Sequence, residues 1–209
     1  MTLAESLAEA GPRLSERVLA EMYADPFWAA RFGDRGRRHA RADGDFHLKY
    51  LVEALESNSL GVFENYARWL RELLVSRGMC SRHLAENFTR LADAIAAEPW
   101  DDRARATEIL HAGAAALRHR TGPAAEIEAM RATTAGDAAT DTLLSYLADA
   151  LAFEQPSWFG AHTAFAATLR PNLGAELAAL RRRIALELAN PVLALAALDS
   201  AVATLPGGR

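Results

Sequence analysis

The chain has 209 residues, 51% of them hydrophobic and 24% charged, with a formal net charge of −4. That length holds one large domain or two small ones with a substantial core, while the acidic balance argues against a general nucleic-acid or membrane-surface binder. The single cysteine, Cys80, excludes an intramolecular disulfide framework and any Cys-rich zinc site, and it fits a reducing, cytoplasmic setting. Alanine and leucine dominate, arginine and glutamate are frequent, and Lys49 is the one lysine. These residues favour helix. The start, MTLAESLAEAGPRL, has neither the basic region nor the apolar stretch of a signal peptide. No apolar run approaches the ~18 residues that would span a bilayer, so no membrane partner is expected.

In chain order, residues 3–10 and 13–24 predict two helices, with Leu3 and Leu7, then Leu14, Val18, Leu19 and Met22, at helical spacing. Gly11-Pro12 divides them, Pro12 suiting a first turn. Asp25-Pro26 opens a short helix or turn whose Phe27, Trp28 and Phe32 pack inward. The segment Gly33–Gly44 is glycine-broken and predicts a partly irregular stretch. With its flanks it holds Arg31, Arg35, Arg37, Arg38 and Arg41, with His39 among them, and is the most basic stretch in the chain. Asp45 is placed to cap a helix carrying Leu48, Leu51, Val52 and Leu55. A turn at Asn58 and Gly61 leads to a helix with Val62, Phe63, Tyr66, Trp69, Leu70, Leu73 and Leu74, closed by Gly78. Ser81 can cap the next helix, which has Leu84, Phe88, Leu91 and Ile95 on one face.

Glu98–Asp101 reads as a linker. Helices follow over about 102–118 and 124–131, separated by Gly122-Pro123, and 132–140 is a small-residue loop. The segment 141–169 then echoes 45–73. Asp45, Leu48, Tyr50, Leu51, Ala54, Leu55, Phe63 and Leu73 match Asp141, Leu144, Tyr146, Leu147, Ala150, Leu151, Phe159 and Leu169 at a constant offset. Leu173, Leu177, Leu180 and Ile184 repeat the spacing of Leu84, Phe88, Leu91 and Ile95. No segment alternates with period two. The expectation is an all-α fold of about ten helices without a sheet, built as two tandem, diverged helical-bundle halves sharing a core, 1–98 and 99–209.

Chemistry-bearing motifs are sparse. The sequence has no phosphate-cradling glycine loop, nucleophile elbow or His-Glu-x-x-His. Glu108-Ile-Leu-His111 is the one Glu-x-x-His, where a di-iron bundle needs two, so Glu108 and His111 offer only a weak metal alternative. His47 and His162 lie in the repeated segments, and His162 stands at the position of Tyr66. Either imidazole is a conceivable axial ligand for a tetrapyrrole, with Tyr50, Tyr66 and Trp69 as walls and Arg31, Arg35 and Arg38 holding propionates. Cys80, followed by Arg82 and His83, is a weak candidate for covalent attachment or nucleophilic chemistry.

The stretch YLVEALESNSLGVFENYARWLRELLVSRGMCSRHLAENFTRLADAI resembles the small helical domain that accompanies the cobalamin-binding domain in bacterial B12-dependent regulators. The likeness is one of order: Tyr-Leu-x-x-Ala-Leu, a short turn, an aromatic-rich helix, a glycine, then a leucine-spaced helix. It implies a helical sensory or regulatory module. The Asp-x-His-x-x-Gly signature of the cobalamin-binding domain is absent from this sequence.

The expected function is therefore non-enzymatic: a cytoplasmic helical protein that binds a small molecule or a protein partner in a sensory or regulatory role. The expected site lies in the seam between the two halves and comprises His47, Tyr50, Tyr66, Trp69 and His162, rimmed by Arg31, Arg35 and Arg38. A tetrapyrrole-binding protein and a metal-dependent helical oxidoreductase are the alternatives. Self-association into a homodimer is open, and nucleic acid is not expected as a partner.

Overall fold

A computed structural model of the protein describes residues 2–134 and 136–205, and among these there are ten α-helices and no strand. In order they are α1 (Leu3–Tyr23), α2 (Pro26–Glu56), α3 (Leu60–Val75), α4 (Ser81–Ala96), α5 (Arg103–Ala116), α6 (Gly122–Arg131), α7 (Ala138–Ala152), α8 (Pro156–Ala167), α9 (Leu173–Glu187) and α10 (Val192–Ala203). The all-α class and the helix number agree with the sequence reading.

Two local expectations are corrected. The first 21 helical residues form one helix, with Pro12 inside it rather than opening a second. An interior proline removes a backbone hydrogen bond and costs ~3 kcal/mol. What outweighs that cost is a buried stripe that runs through without a break: Leu7, Gly11, Leu14, Ser15, Val18, Leu19 and Met22. Pro12 itself is exposed, and a side chain on its neighbour Gly11 would meet Leu48 Cδ1 at 2.8 Å. A capping box starts the helix: Thr2 accepts the Glu5 N–H and Glu5 accepts the Thr2 N–H.

The second correction concerns the arginine-rich segment, which is helical. Gly33 alone leaves helical geometry (φ 57°, ψ −161°), kinking α2 at the left-handed φ that glycine tolerates. The N-cap is Asp25, whose carboxylate accepts the Phe27 N–H at 2.8 Å, and Asp45 lies within the helix, exposed. Glycines 36 and 44 are kept helical by packing: a Cβ on Gly44 would meet Ser15 at 2.9 Å, and one on Gly36 would strike Phe32 at 2.3 Å.

The chain divides into two compact units. The first comprises Met1–Leu70 and His83–Leu117, the second Arg71–Arg82 and Arg118–Arg209. In the first, α1 packs along α2 and α2 against α5, around fully buried Leu7, Leu14, Leu51, Phe63, Phe88, Ile95, Ile109 and Leu110. Gly113 of α5 admits the Phe63 ring, which would lie 2.5 Å from any Cβ there. In the second, α6 packs on α7, and α8 on α7 and α10. Its core includes Ile127, Leu144, Leu147, Phe159, Leu177, Ile184 and Leu198, with Cys80 contributed from the excursion Arg71–Arg82.

The segments matched in sequence share a turn. Asn58 and Glu154 both take a left-handed conformation, at φ 49° and 55°. In each, the left-handed residue donates to the carbonyl three back (Asn58 to Leu55, Glu154 to Leu151). The next residue reaches five back, Ser59 to Ala54 and Gln155 to Ala150. Phe63 and Phe159 follow, both fully buried.

Candidate functional site

Four of the residues singled out in the sequence meet in the first unit. His47 and Tyr50 lie on α2, Tyr66 and Trp69 on α3. His47 faces the core because it falls on the stripe of Gly44, Leu48, Leu51 and Ala54. Its Nδ1 lies 2.6 Å from the Tyr66 hydroxyl, and the edge of the Phe88 ring meets it at 5.2 Å between centroids. Burial holds the imidazole neutral, lowering its pKa from 6.5 to about 3. Burial likewise raises the Tyr66 phenol, with the negative charge of Asp43 and the Tyr50 phenol acting the same way. The Tyr66 O–H thus donates to the unprotonated Nδ1. Tyr50 stacks on Tyr66 at 4.1 Å and 15°, and Trp69 tilts against Tyr66 at 6.3 Å.

The group is graded from core to solvent. His47 and Tyr66 are buried, Tyr50 is half-buried, and Trp69 is 57% exposed. Phe46, which the sequence reading passed over, is 54% exposed one turn before Tyr50 on α2. Its signal was the helical spacing of 46 and 50 beside the buried 47. Arg31 is half-buried, and Arg35 and Arg38 are exposed on α2 after the kink.

His162 belongs to the second unit. Its ring lies flat against Tyr146 at 3.4 Å and 14°, while the Tyr146 hydroxyl donates to the Gly78 carbonyl at 2.8 Å. Glu108 is exposed and pairs with Arg105 on its own helix, and His111 is exposed. Among the described residues no group of three or more His, Cys, Asp or Glu side chains is placed to hold a metal ion. Cys80 is buried at 1% exposure and so presents no thiol to a substrate or chromophore. The neighbours expected to activate it are engaged elsewhere: Arg82 binds Asp141, and His83 packs against the rings of Phe27 and Trp28 at 5.2 and 4.9 Å.

The second unit also holds a polar network that the sequence reading missed. Asp149 is buried, as is Ser145, in the largely apolar run Leu143–Ala150 of α7. It accepts the Ser81 N–H at 2.7 Å and the Ser81 hydroxyl at 2.6 Å, and His119 Nε2 donates to it at 2.7 Å. Ser145 accepts the Arg82 N–H at 3.0 Å. The helix expected to be capped by Ser81 is capped instead by a carboxylate distant in sequence, favourably placed at the positive end of α4. Serine, histidine and aspartate are therefore together, but both donors converge on the carboxylate. The serine hydroxyl gives its proton to aspartate rather than to imidazole, so the geometry does not activate a nucleophile. The clue was an aspartate inside a largely apolar helical run.

Asp141 is clamped by Arg82 Nε and Arg131 Nε at 2.7 and 2.8 Å. Burial opposes the charge on Arg131, yet its pKa is raised by the Asp141 hydrogen bond and the nearby Glu128 and Asp141 charges. An open cleft of about 330 Å³ adjoins, lined by Arg82, Arg131, Thr134, Asp137 and Asp141 among others. Two arginines face two aspartates there, so the lining carries no net charge to draw an ion. No protein-family model matches the chain, and no curated protein or solved structure matches it. No helix is long and apolar enough to cross a membrane among the described residues.

Proposed function

We propose that the protein is a non-enzymatic helical module that binds a protein partner, in a sensory or regulatory role, through the aromatic face of its first unit. The observation that carries this reading is the exposure of Phe46 and Trp69 beside buried His47 and Tyr66 and half-buried Tyr50. Large exposed aromatics cost solvation and are the residue types that anchor protein interfaces. The rigid stack beneath fixes one side of Trp69, so little side-chain entropy remains to be lost on binding.

The test is a selection of peptides from a random display library against the folded chain. The wild type is expected to enrich a family of peptides, and the Phe46→Ser/Trp69→Ser variant to lose them. Enriched peptides that bind both proteins equally well would overturn the assignment of this face.

A tetrapyrrole is the second reading, and His47 is the residue that supports it. Ligation through Nε2 would need the opposite tautomer, with Nδ1–H donating to the Tyr66 oxygen 2.6 Å away. Absorption spectra after addition of haem, cobalamin or biliverdin decide between the two. A new band abolished by His47→Gln would favour this reading over partner binding.

A further inference from the structure

We infer that the partner is an acidic peptide segment with an apolar anchor, bound along the outward face of α2 between Arg35 and Lys49. This inference rests on the partner-binding reading above and names the partner's chemistry.

Beyond the Gly33 kink, the buried side of α2 is Gly44, His47, Leu48, Leu51 and Ala54. The opposite side carries Arg35, Arg38, Ala42, Phe46 and Lys49, three or four residues apart, with His39 beside Arg38, and all are exposed. Such spacing lines them up along one helix face, roughly 21 Å from first to last. Arg37 and Arg41, off this line, are engaged: Arg37 lies over the Tyr23 ring at 5.2 Å, and Arg41 pairs with Glu16. Arg35, Arg38 and Lys49 make no ion pair among the described residues. Three uncommitted cations thus stand in a row on a chain whose net charge is −4. At one end of the row are the two most exposed aromatics of this unit, Phe46 on the helix itself and Trp69 next to it through Tyr50 and Tyr66.

The complement of that surface is a short run of carboxylates ending in an apolar side chain. Carboxylates supply charge complementarity and bidentate acceptors for the two guanidiniums. An aromatic or aliphatic residue fills the space beside Phe46 and Trp69. A polynucleotide fits less well. The row is about 21 Å long and carries three cations, which suits a few carboxylates better than a long polyanion.

The same display selection tests this. Enriched peptides are expected to carry a surplus of Asp and Glu and one apolar anchor. Their affinity is expected to fall about tenfold or more in the Arg35→Glu/Arg38→Glu/Lys49→Glu variant and to weaken with added salt. A variant with the same charge change elsewhere, Arg77→Glu/Arg120→Glu/Arg182→Glu, is expected to keep it. Circular dichroism confirms that each variant folds. Peptides that need Trp69 but show no acidic surplus, or that bind the Arg35/Arg38/Lys49 variant unchanged, overturn the acidic-partner inference while leaving the partner-binding reading in place. Tighter binding of a short oligothymidylate or of anionic vesicles at the same face overturns it in favour of those ligands. A dimer by sedimentation that the Arg35/Arg38/Lys49 variant abolishes overturns it in favour of a second copy.

Discussion

His47 shows how much a single side chain can decide. Its pKa is lowered in the folded chain from 6.5 to about 3 by burial. The unfolded chain therefore binds the extra proton first, and stability is lost as pH falls below about 6.5 toward 3. Between pH 6.5 and 5 this residue alone should remove about 2 kcal/mol. Urea denaturation of the wild type and His47→Gln checks it: the variant should start less stable but show the shallower decline over that interval. Gly113 makes a second case. The Phe63 ring occupies the space a Cβ would need, so Gly113→Ala should destabilise by about 1–3 kcal/mol despite its gain in helix propensity. Thermal unfolding of that variant reads the sign directly.

At the level of the element, the helices were largely legible and their ends were not. Leucine and alanine periodicity places a helix wherever one face must be buried, and α3, α4 and α9 lie where the spacing puts them. Glycine and proline misled, because their local cost is small beside a continuous buried stripe. Pro12 is the clearest instance. It is exposed and interior to α1, so Pro12→Ala should restore a hydrogen bond without losing packing. The expected gain is about 1–2 kcal/mol, less than the full propensity difference because proline also restricts the unfolded chain. The paired turns make a complementary case. Asparagine tolerates the left-handed region at position 58, whereas glutamate at position 154 does so at a cost. Glu154→Gly should therefore stabilise by about 1 kcal/mol and Asn58→Gly by less. Paired denaturation curves on the two variants test this ordering.

Across the whole molecule, the candidate aromatic face could be read in part, since His47, Tyr50, Tyr66 and Trp69 do come together in one unit. Phe46 was missed because an exposed aromatic has the same one-letter signature as a core one. The Asp149 network was missed for a different reason. Its members Ser81, His119 and Asp149 are far apart in the chain, and only the fold reveals that they meet. The second unit needs the excursion Arg71–Arg82 for those bonds, for the Ser145 and Tyr146 contacts and for the Cys80 side chain in its core. A fragment comprising residues 99–209 would leave the Asp149 carboxylate buried with two of its three donors missing. Unsatisfied buried groups cost about 1–3 kcal/mol each, and a charged one more. The fragment should melt without a cooperative transition and be cut readily by protease. The same fragment with a synthetic peptide covering residues 71–82 should regain part of its helical signal.

That excursion also has a consequence for how the chain is made. A ribosome releases Cys80, Ser81 and Arg82 well before it releases Asp141, Ser145 and Asp149. For the time needed to add some seventy further residues, seconds at ordinary rates of synthesis, the nascent chain carries Cys80 and the Ser81 donors before their partners in α7 exist. During that interval the thiol of Cys80 is open to oxidants and to other chains, and once α7 has docked it is sealed. The time of greatest chemical vulnerability for this protein is therefore its own translation, and a pause in elongation between residues 82 and 149 would lengthen it.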